Sequence, residues 1–334
     1  MKSPVFPEFG LGCAHLGNLF TTVEEPVAAA TLWAAWDAGV RYFDTAPWYG
    51  HGLSELRLGG LLRHHPREDF FLSTKVGRVY DSSQTGMEHI APWTGGLPYA
   101  MHYDYTAHGF AASLAQSRLR LGVPRIDALV IHDLDTGHHG DGRAAHAEDL
   151  VESGLPYLHD LKRRGEISAI GMGTNATEDF AHFAPMVDVD FFIVAMPYTL
   201  LDQAALTGPM QTCIERGIKV VIGAPFASGL LADPGAAQAT YGYAAAGEDI
   251  RAKALAIEAV CERHGVPIAA AALRFPLLHP AVTSVIPGAV SPEQVRQNVE
   301  HMSRSIPDAL WERLKADGLI LDQSPTENAP GEPQ

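Results

Sequence analysis

Residues 40–58 read VRYFDTAPWYGHGLSELRL, and the reading of this stretch decides the fold. A β-branched and aromatic run, Arg41–Phe43, follows Gly39 and breaks off in polar residues, which predicts a short buried strand. Asp44 stands where that strand ends, and Tyr49 follows in a loop interrupted by Pro47 and Gly50. From Ser54 onward Leu56, Leu58, Leu61 and Leu62 recur at helical spacing, predicting a helix over 54–63. A carboxylate fixed at a strand's carboxyl end, with a phenol in the loop beyond, is what an α/β active site needs. Taken alone, the segment fits a helix-capping Asp and an exposed loop Tyr equally well.

Two later strands change that balance. FFLSTK, residues 70–75, ends in Lys75, and DALVIH, residues 127–132, ends in His132. Three strand ends therefore deliver Asp44, Lys75 and His132, with Tyr49 beside the first. A tyrosine titrates near ~10 in water and moves protons poorly at neutral pH unless a buried cation favours its phenolate. A lysine held by an aspartate supplies that cation, and a neutral histidine nearby can orient a reacting oxygen.

The remaining chain alternates between strands and helices. Strands are predicted over 9–14, 167–172, 190–195, 218–222 and 282–286. Helices are predicted over 24–38, 107–121, 149–164, 202–216, 249–264 and 269–275, and from a Ser291 cap. Repeated about eight times, this alternation predicts a single α/β domain over 1–334, a (β/α)8 TIM barrel with long loops at the strands' C-terminal face. A flexible tail is expected from about 322. Three segments stand out as loops. Residues 76–106 carry Tyr80, Trp93, Tyr99, Tyr103 and Tyr105 without periodicity, and a loop that long reads as a functional wall over a substrate. His138–His146 reads as a mobile surface loop; a metal site from His138, His139 and His146 is the weaker reading, because no carboxylate–His motif on a helix accompanies them. The Gly/Ala-rich run from Gly223 to Ile250 fits a loop closing over a diphosphate through backbone N–H groups, including those of Ser228, Gly229 and Leu231 beyond Pro225, or else a flexible connector.

Composition narrows the class. The 334 residues carry a net charge of −15, spread along the chain, which argues against nucleic acid and anionic membrane as partners. Three scattered cysteines, Cys13, Cys213 and Cys261, give neither a disulfide framework nor metal-ligand spacing, so no metal is expected. No leader-like segment or membrane-length apolar run is present, making the cytoplasm the expected location.

FDTAPWYG, LSTKVG and the strand ending in His132 resemble the aldo-keto reductases, with an Asp-Tyr-Lys-His tetrad in that family's order. The resemblance runs from GLGCAHLGNL to VIPGAVSPEQVRQNV. Within the family, GCAHLGNLF, YDYTAHG, RLGVPRIDALVIHDLD and PYTLLDQ resemble the bacterial aldose 1-dehydrogenases acting on L-fucose and related sugars; pyridoxal 4-dehydrogenase shares these features. The resemblance implies oxidation of an L-fucose- or D-galactose-like aldose at its anomeric carbon to a lactone. Tyr49 is then the base, Lys75 and Asp44 favour its phenolate, and His132 orients the substrate oxygen. Pyridoxal 4-dehydrogenase or a general aldehyde and ketone reductase is the alternative, and a cofactor-binding regulatory subunit is the non-enzyme alternative. Trp48, His51, Trp93 and Tyr103 are expected to line the pocket, where aromatic faces stack on a sugar. Asp133 and Asp135 read as solvated loop carboxylates. The implied partner is a small-molecule sugar or aldehyde, in a monomer or small homo-oligomer.

The cofactor face is carried over in the same way. Thr174 and Asn175 fall where the family binds the carboxamide, and Pro287, Gly288, Gln294 and Asn298 fall on the far side of the cofactor. Two positions depart from the family: Ala195 replaces a Gln, and Gly223 replaces the Tyr that stacks on the nicotinamide ring. NADP-using members meet the 2′-phosphate with cations where this chain has Gly288 and Gln294. NAD is therefore expected ahead of NADP.

Overall fold

The computed structural model describes residues 5–86, 90–236, 240–242 and 244–327. Strands β1 (Leu11–Gly12), β2 (Tyr42–Asp44) and β3 (Phe71–Val76) lead into an antiparallel hairpin of β4 (Arg78–Asp81) and β5 (Ala100–Tyr103). Then follow β6 (Ala128–Ile131), β7 (Ala169–Thr174), β8 (Phe191–Ala195) and β9 (Lys219–Gly223). A second small pair, β10 (Thr240–Tyr241) and β11 (Ala244–Ala245), precedes β12 (Val282–Ile286). Eight of these strands form one sheet in the order β1-β2-β3-β6-β7-β8-β9-β12, the nearly closed parallel barrel of the (β/α)8 class. Strands such as Ala128–Ile131 are buried along their whole length, as expected of a parallel sheet covered on both faces.

By compactness the chain falls into two units. One comprises Met1–Thr174, Asp188–Phe192 and Gly288–Arg296; the other comprises Asn175–Val187, Ile193–Pro287 and Gln297–Gln334. In the first, Phe6 packs its ring against Tyr42, Phe71 and Phe191, with centroids 6.0, 4.9 and 4.8 Å away. The helix Leu53–Leu62 is anchored by Glu55, wholly buried, which accepts from Thr74 Oγ1 and Arg120 Nε at 2.6 Å each. In the second, Phe275 lies between Tyr198 and Trp311, with centroids 5.6 and 5.9 Å away. Trp311 belongs to a helix, Asp308–Ala316, that the sequence reading did not anticipate.

The structure corrects three readings. Residues 76–106 are not aperiodic throughout, since β4 and β5 pair Arg78 with Tyr103 and Asp81 with Ala100. Each strand is only four residues long, too short to show a period, and the pairing joins segments distant in sequence. His138–His146 is not a loop: helical turns run over Thr136–His139, Gly140–Gly142 and Arg143–Asp149. Asp135 starts them by accepting from the His138 backbone N–H at 2.8 Å, an ordinary N-cap. The helix expected from Asp202 begins only at Pro209. Gly208, at φ 109°, breaks the chain there, and Thr199 Oγ1 holds Leu201 and Asp202 in a turn instead. The Gly-Pro pair at 208–209 is a helix-start signal that outweighs the apolar spacing before it. Of the tail expected from about 322, Ser324 is buried, and residues 328–334 lie outside the described residues.

Candidate active site

Asp44 is the last residue of β2, Lys75 lies one residue short of the end of β3, and His132 follows β6 directly. The three are 2%, 2% and 8% exposed. Lys75 Nζ donates to Asp44 Oδ2 at 2.7 Å and to the Thr45 carbonyl at 2.9 Å. The ammonium lies 4.5 Å from the centroid of the Tyr49 ring, and the Tyr49 and His132 rings are 5.9 Å apart, edge to face. All four residues taken from strand ends and the first loop are thus brought together. Ser73, which the sequence reading passed over, donates to Asp44 Oδ1 at 2.6 Å. Its signal was its place two residues before Lys75, on the same strand face.

The Tyr49 loop is held by close backbone contact. Gly50 has φ +61°, and a Cβ on it would stand 2.2 Å from the Gly17 carbonyl oxygen; one on Gly17 would stand 2.5 Å from the Tyr49 carbonyl carbon. Only a chain without side chains at both positions closes that gap. The hairpin adds a strut, Tyr80 Oη donating to the Pro47 carbonyl at 2.6 Å.

Arg78, on β4, was absent from the sequence reading and lies at the centre of the site. It is 4% exposed. Its Nη1 ion-pairs with Asp133 and lies 3.3 Å from His132 Nδ1, while its Nη2 donates to Tyr103 Oη at 2.7 Å. The guanidinium carbon also lies 4.5 Å from the Trp48 ring centroid and 4.6 Å from that of Tyr103. Asp133 is therefore buried and paired, not solvated; Arg78 supplies the counter-charge that burial demands. Asp135 caps the following helical turn and contacts His138 Nδ1 at 2.8 Å. Asp133, Asp135 and His138 gather ligand atoms within 4.8 Å of one another, and Arg78 is already ion-paired with the first of them.

Burial pushes the His132 pKa well below the ordinary imidazole value; Asp133 opposes this, and the Lys75 and Arg78 charges add to it. Burial likewise lowers His51 and raises Tyr103. The expected pocket residues gather here. The Trp48 and Trp93 rings meet at 90° with centroids 5.8 Å apart, His51 lies 5.1 Å from Trp48, and Trp93 lies 5.7 Å from Tyr49. Trp93 Nε1 is buried with no hydrogen-bond partner among the described residues.

The expected cofactor residues are spread along the chain. Thr174 ends β7 and is buried, and Asn175 after it is exposed. In the second unit Asn175, Thr177, Met196, Pro197, Asp202, Tyr241 and Gly242 line a cleft of about 270 Å³. Ala195 ends β8 and Gly223 ends β9. A Cβ on Gly223 would meet Ile193 at 3.4 Å and Ala195 at 3.6 Å, ordinary van der Waals contact, so that strand end would accept a small side chain. Beyond it the backbone coils through the left-handed region at Ala224, Ala227 and Ser228, with Met196 at φ 80°. Such conformations in non-glycine residues cluster at ligand clamps. Pro225 and Leu231 are buried, Ser228 is half-buried and Gly229 exposed. Ser228 Oγ accepts from the Gly242 N–H at 3.2 Å. Pro287 and Asn298 are buried.

Around Gly288, in the first unit, a Cβ would stand 2.5 Å from His15 Nδ1. The imidazole fills the place a side chain would need. Burial lowers the His15 pKa. Gln294 is turned inward on its own helix start: its Oε1 accepts from Val290 N–H at 2.8 Å, and its N–H reaches Ser291 Oγ at 3.3 Å. Arg296 pairs with Glu293 at 3.0 Å.

This constellation on a (β/α)8 barrel suits an enzyme that moves a proton at a substrate oxygen. Residues 8–317 match the model of the aldo/keto reductase family, and the chain belongs to that family. It is 38% identical over 321 residues to pyridoxal 4-dehydrogenase of Microbacterium luteolum, covering 93% of this chain and 94% of the relative. It is 37% identical over 320 residues to D-threo-aldose 1-dehydrogenase of a Pseudomonas species, covering 94% of each. A holo aldo-keto reductase from Bacillus halodurans shares the fold, with a TM-score of 0.72 at 22% identity over 97% of this chain and 94% of the other. These findings make the chain an oxidoreductase of that family. Aldo-keto reductases use NAD or NADP. No helix among the described residues is long and apolar enough to cross a membrane.

Proposed function

We propose that this enzyme oxidises an aldose, L-fucose or a D-galactose-like sugar first, at its anomeric carbon to the lactone, with NAD as cofactor. The observation that carries the reading is the buried Lys75 ammonium, held at 2.7 Å by Asp44 and placed 4.5 Å from the Tyr49 ring. A cation so placed stabilises the phenolate that Tyr49 must become to take the proton of the anomeric hydroxyl. His132, kept neutral, donates a hydrogen bond to that oxygen. Trp48, Trp93 and Tyr103 give the sugar's apolar face its wall, and the unpartnered Trp93 Nε1–H and His51 read its hydroxyls.

The left-handed turn after Gly223 suits a diphosphate. Thr174 and Asn175 would hold the carboxamide, and Pro225, Ser228, Gly229 and Leu231 the diphosphate. Pro287, Gly288, Gln294 and Asn298 would hold the adenosine half. The chemistry the nicotinamide supplies when bound is acceptance of a hydride from the anomeric carbon. Met196, bordering the cleft next to Ala195, is the neighbour best placed to cover the ring in place of the missing Tyr.

The test is an absorbance assay with NAD across aldoses, aldehydes and pyridoxal, with the product identified. A lactone from a fucose- or galactose-like sugar is the expected result. Turnover of pyridoxal far above that of any sugar establishes the second reading, which the pyridoxal 4-dehydrogenase relative and the aromatic pocket favour.

NAD is expected to be preferred at least tenfold over NADP in kcat/KM. His15 leaves no space for a cationic side chain at Gly288, Gln294 is neutral, and Arg296 is already paired with Glu293. A 2′-phosphate thus lacks a charge-assisted pair of about 1.5–3 kcal/mol, where ~1.4 kcal/mol is a factor of ten. Equal efficiency with the two cofactors would show that another cation serves the phosphate.

A further inference from the structure

Arg78 and Asp133 are buried charged groups in the site to which the reaction as drawn gives no part. Their surroundings assign them one. A guanidinium has only donors to offer. The 3.3 Å contact from Arg78 Nη1 therefore makes His132 Nδ1 the acceptor, and a neutral imidazole accepting at Nδ1 carries its proton on Nε2. The same Nη1 is ion-paired with Asp133, which lies next to His132 in the chain and reaches Nε2 with Oδ1 at 3.4 Å. Asp133 takes up the left-handed backbone at φ 52°, a conformation open to Asp at some cost, and so stays beside the ring it follows. Tyr103 Oη at 2.7 Å and the Trp48 and Tyr103 ring faces pin the guanidinium from the other sides. The ring's backbone is tied separately, Tyr105 Oη donating to the His132 carbonyl at 2.8 Å.

We propose that Arg78 is a positioning residue which, together with Asp133, holds His132 in the tautomer protonated on Nε2, ready to donate to the substrate oxygen. The proposal rests on the reading of His132 as the residue facing that oxygen. The alternative for Arg78 is packing alone, as a flat plug between Trp48 and Tyr103.

The charges that face His132 fix the direction of the pH effect. Lys75 from β3, Arg78 from β4 and His138 from the turn after β6 disfavour the imidazolium, and so does burial; Asp133 favours it. Tyr49 stands edge-on, with ring centroids 5.9 Å apart. Removing the Arg78 charge takes away one opposing cation and leaves Asp133 with His138, 3.7 Å from its Oδ2, as its remaining neighbour of opposite sign besides the ring. Both changes raise the His132 pKa towards its ordinary value, so as pH falls through the range near neutrality an imidazolium appears whose Nε2–H is drawn to the Asp133 carboxylate, 3.4 Å away, instead of to the substrate oxygen.

The tautomer is read directly from the resting protein by ¹⁵N NMR of histidine-labelled enzyme, with the His132 signals assigned among the 16 histidines by their loss in His132→Asn. In the wild type, His132 is expected to carry its proton on Nε2, with Nδ1 bare, and not to titrate between about pH 6 and 8. Arg78→Lys, which keeps a cation and a donor, is expected to retain that signature. Arg78→Gln is expected to lose it and to titrate. Its kcat/KM at pH 7 falls by about 10- to 100-fold, and its acid limb moves to higher pH while Arg78→Lys recovers most of both. A wild-type His132 protonated on Nδ1, or titrating in that range, overturns the proposal even if Arg78→Gln fails to fold. So does a folded Arg78→Gln with an unchanged signal and acid limb, which is the outcome packing alone predicts. Because the signal needs no turnover, a failed substrate screen and a failed tautomer assignment remain separate results.

Discussion

Tyr49→Phe is expected to lower turnover by about 10²–10⁴-fold while leaving the fold and cofactor binding nearly unchanged, the contribution typical of a general acid–base group. The substitution removes one oxygen and keeps the ring. The ring that remains keeps its neighbours: Trp93 at 5.7 Å, His132 at 5.9 Å and the Lys75 ammonium at 4.5 Å. The backbone on either side is fixed by the approach of Gly17 to Tyr49 and Gly50, which Phe does not disturb. What disappears is the only side-chain atom of the residue able to take a proton. The measurement is kcat with the best sugar, alongside cofactor titration by tryptophan fluorescence. A variant turning over at a near wild-type rate would remove Tyr49 from the chemistry, and with it the reason for a buried ammonium beside that ring.

How much of this site the sequence discloses depends on how locally each part is determined. Asp44, Lys75 and His132 sit where apolar strands end, and strand ends are written in short windows, so these residues could be placed from their neighbours alone. The strand read as Val282–Ile286 and the helix read as Ala107–Leu121 coincide with the observed bounds for the same reason. Arg78 and Asp133 are different. Each reads as an ordinary surface charge, and only the pairing of Arg78 with Tyr103 across a hairpin whose strands are separated by 18 residues buries the first against the second. The helical turns after Asp135 were obscured by their own composition, since His and Gly weigh against a helix until a side-chain cap outweighs them. On the cofactor side the departures at Ala195 and Gly223 could be seen in the sequence. What borders them, Met196 in a left-handed backbone, could not, because nothing local marks a methionine for that conformation.

The Asp44–Lys75 pair allows the fold and the chemistry to be separated. Lys75→Met should destabilise the protein by about 3–5 kcal/mol, because it leaves the Asp44 carboxylate buried with its cation gone. Of the contacts to Asp44, the Ser73 hydroxyl at 2.6 Å remains, and a neutral donor does not offset a buried charge. Asp44→Asn should cost a comparable amount by stranding the ammonium, which retains the Thr45 carbonyl at 2.9 Å. In Asp44→Asn/Lys75→Met neither charge is left to be stranded, and most of the lost stability should return, since replacing both members of a buried pair is often nearly neutral. Turnover should behave otherwise. Tyr49 loses its neighbouring cation in Lys75→Met and in the double variant alike, so kcat should stay at least about 10²-fold down in both. Urea denaturation and steady-state kinetics on the wild type and the three variants give the two readouts. If the double variant recovered activity together with stability, Lys75 would be only a structural partner of Asp44. If Lys75→Met left the urea midpoint where it was, the carboxylate would have another counter-charge, and the ammonium over the Tyr49 ring would no longer explain how that phenol works near neutral pH.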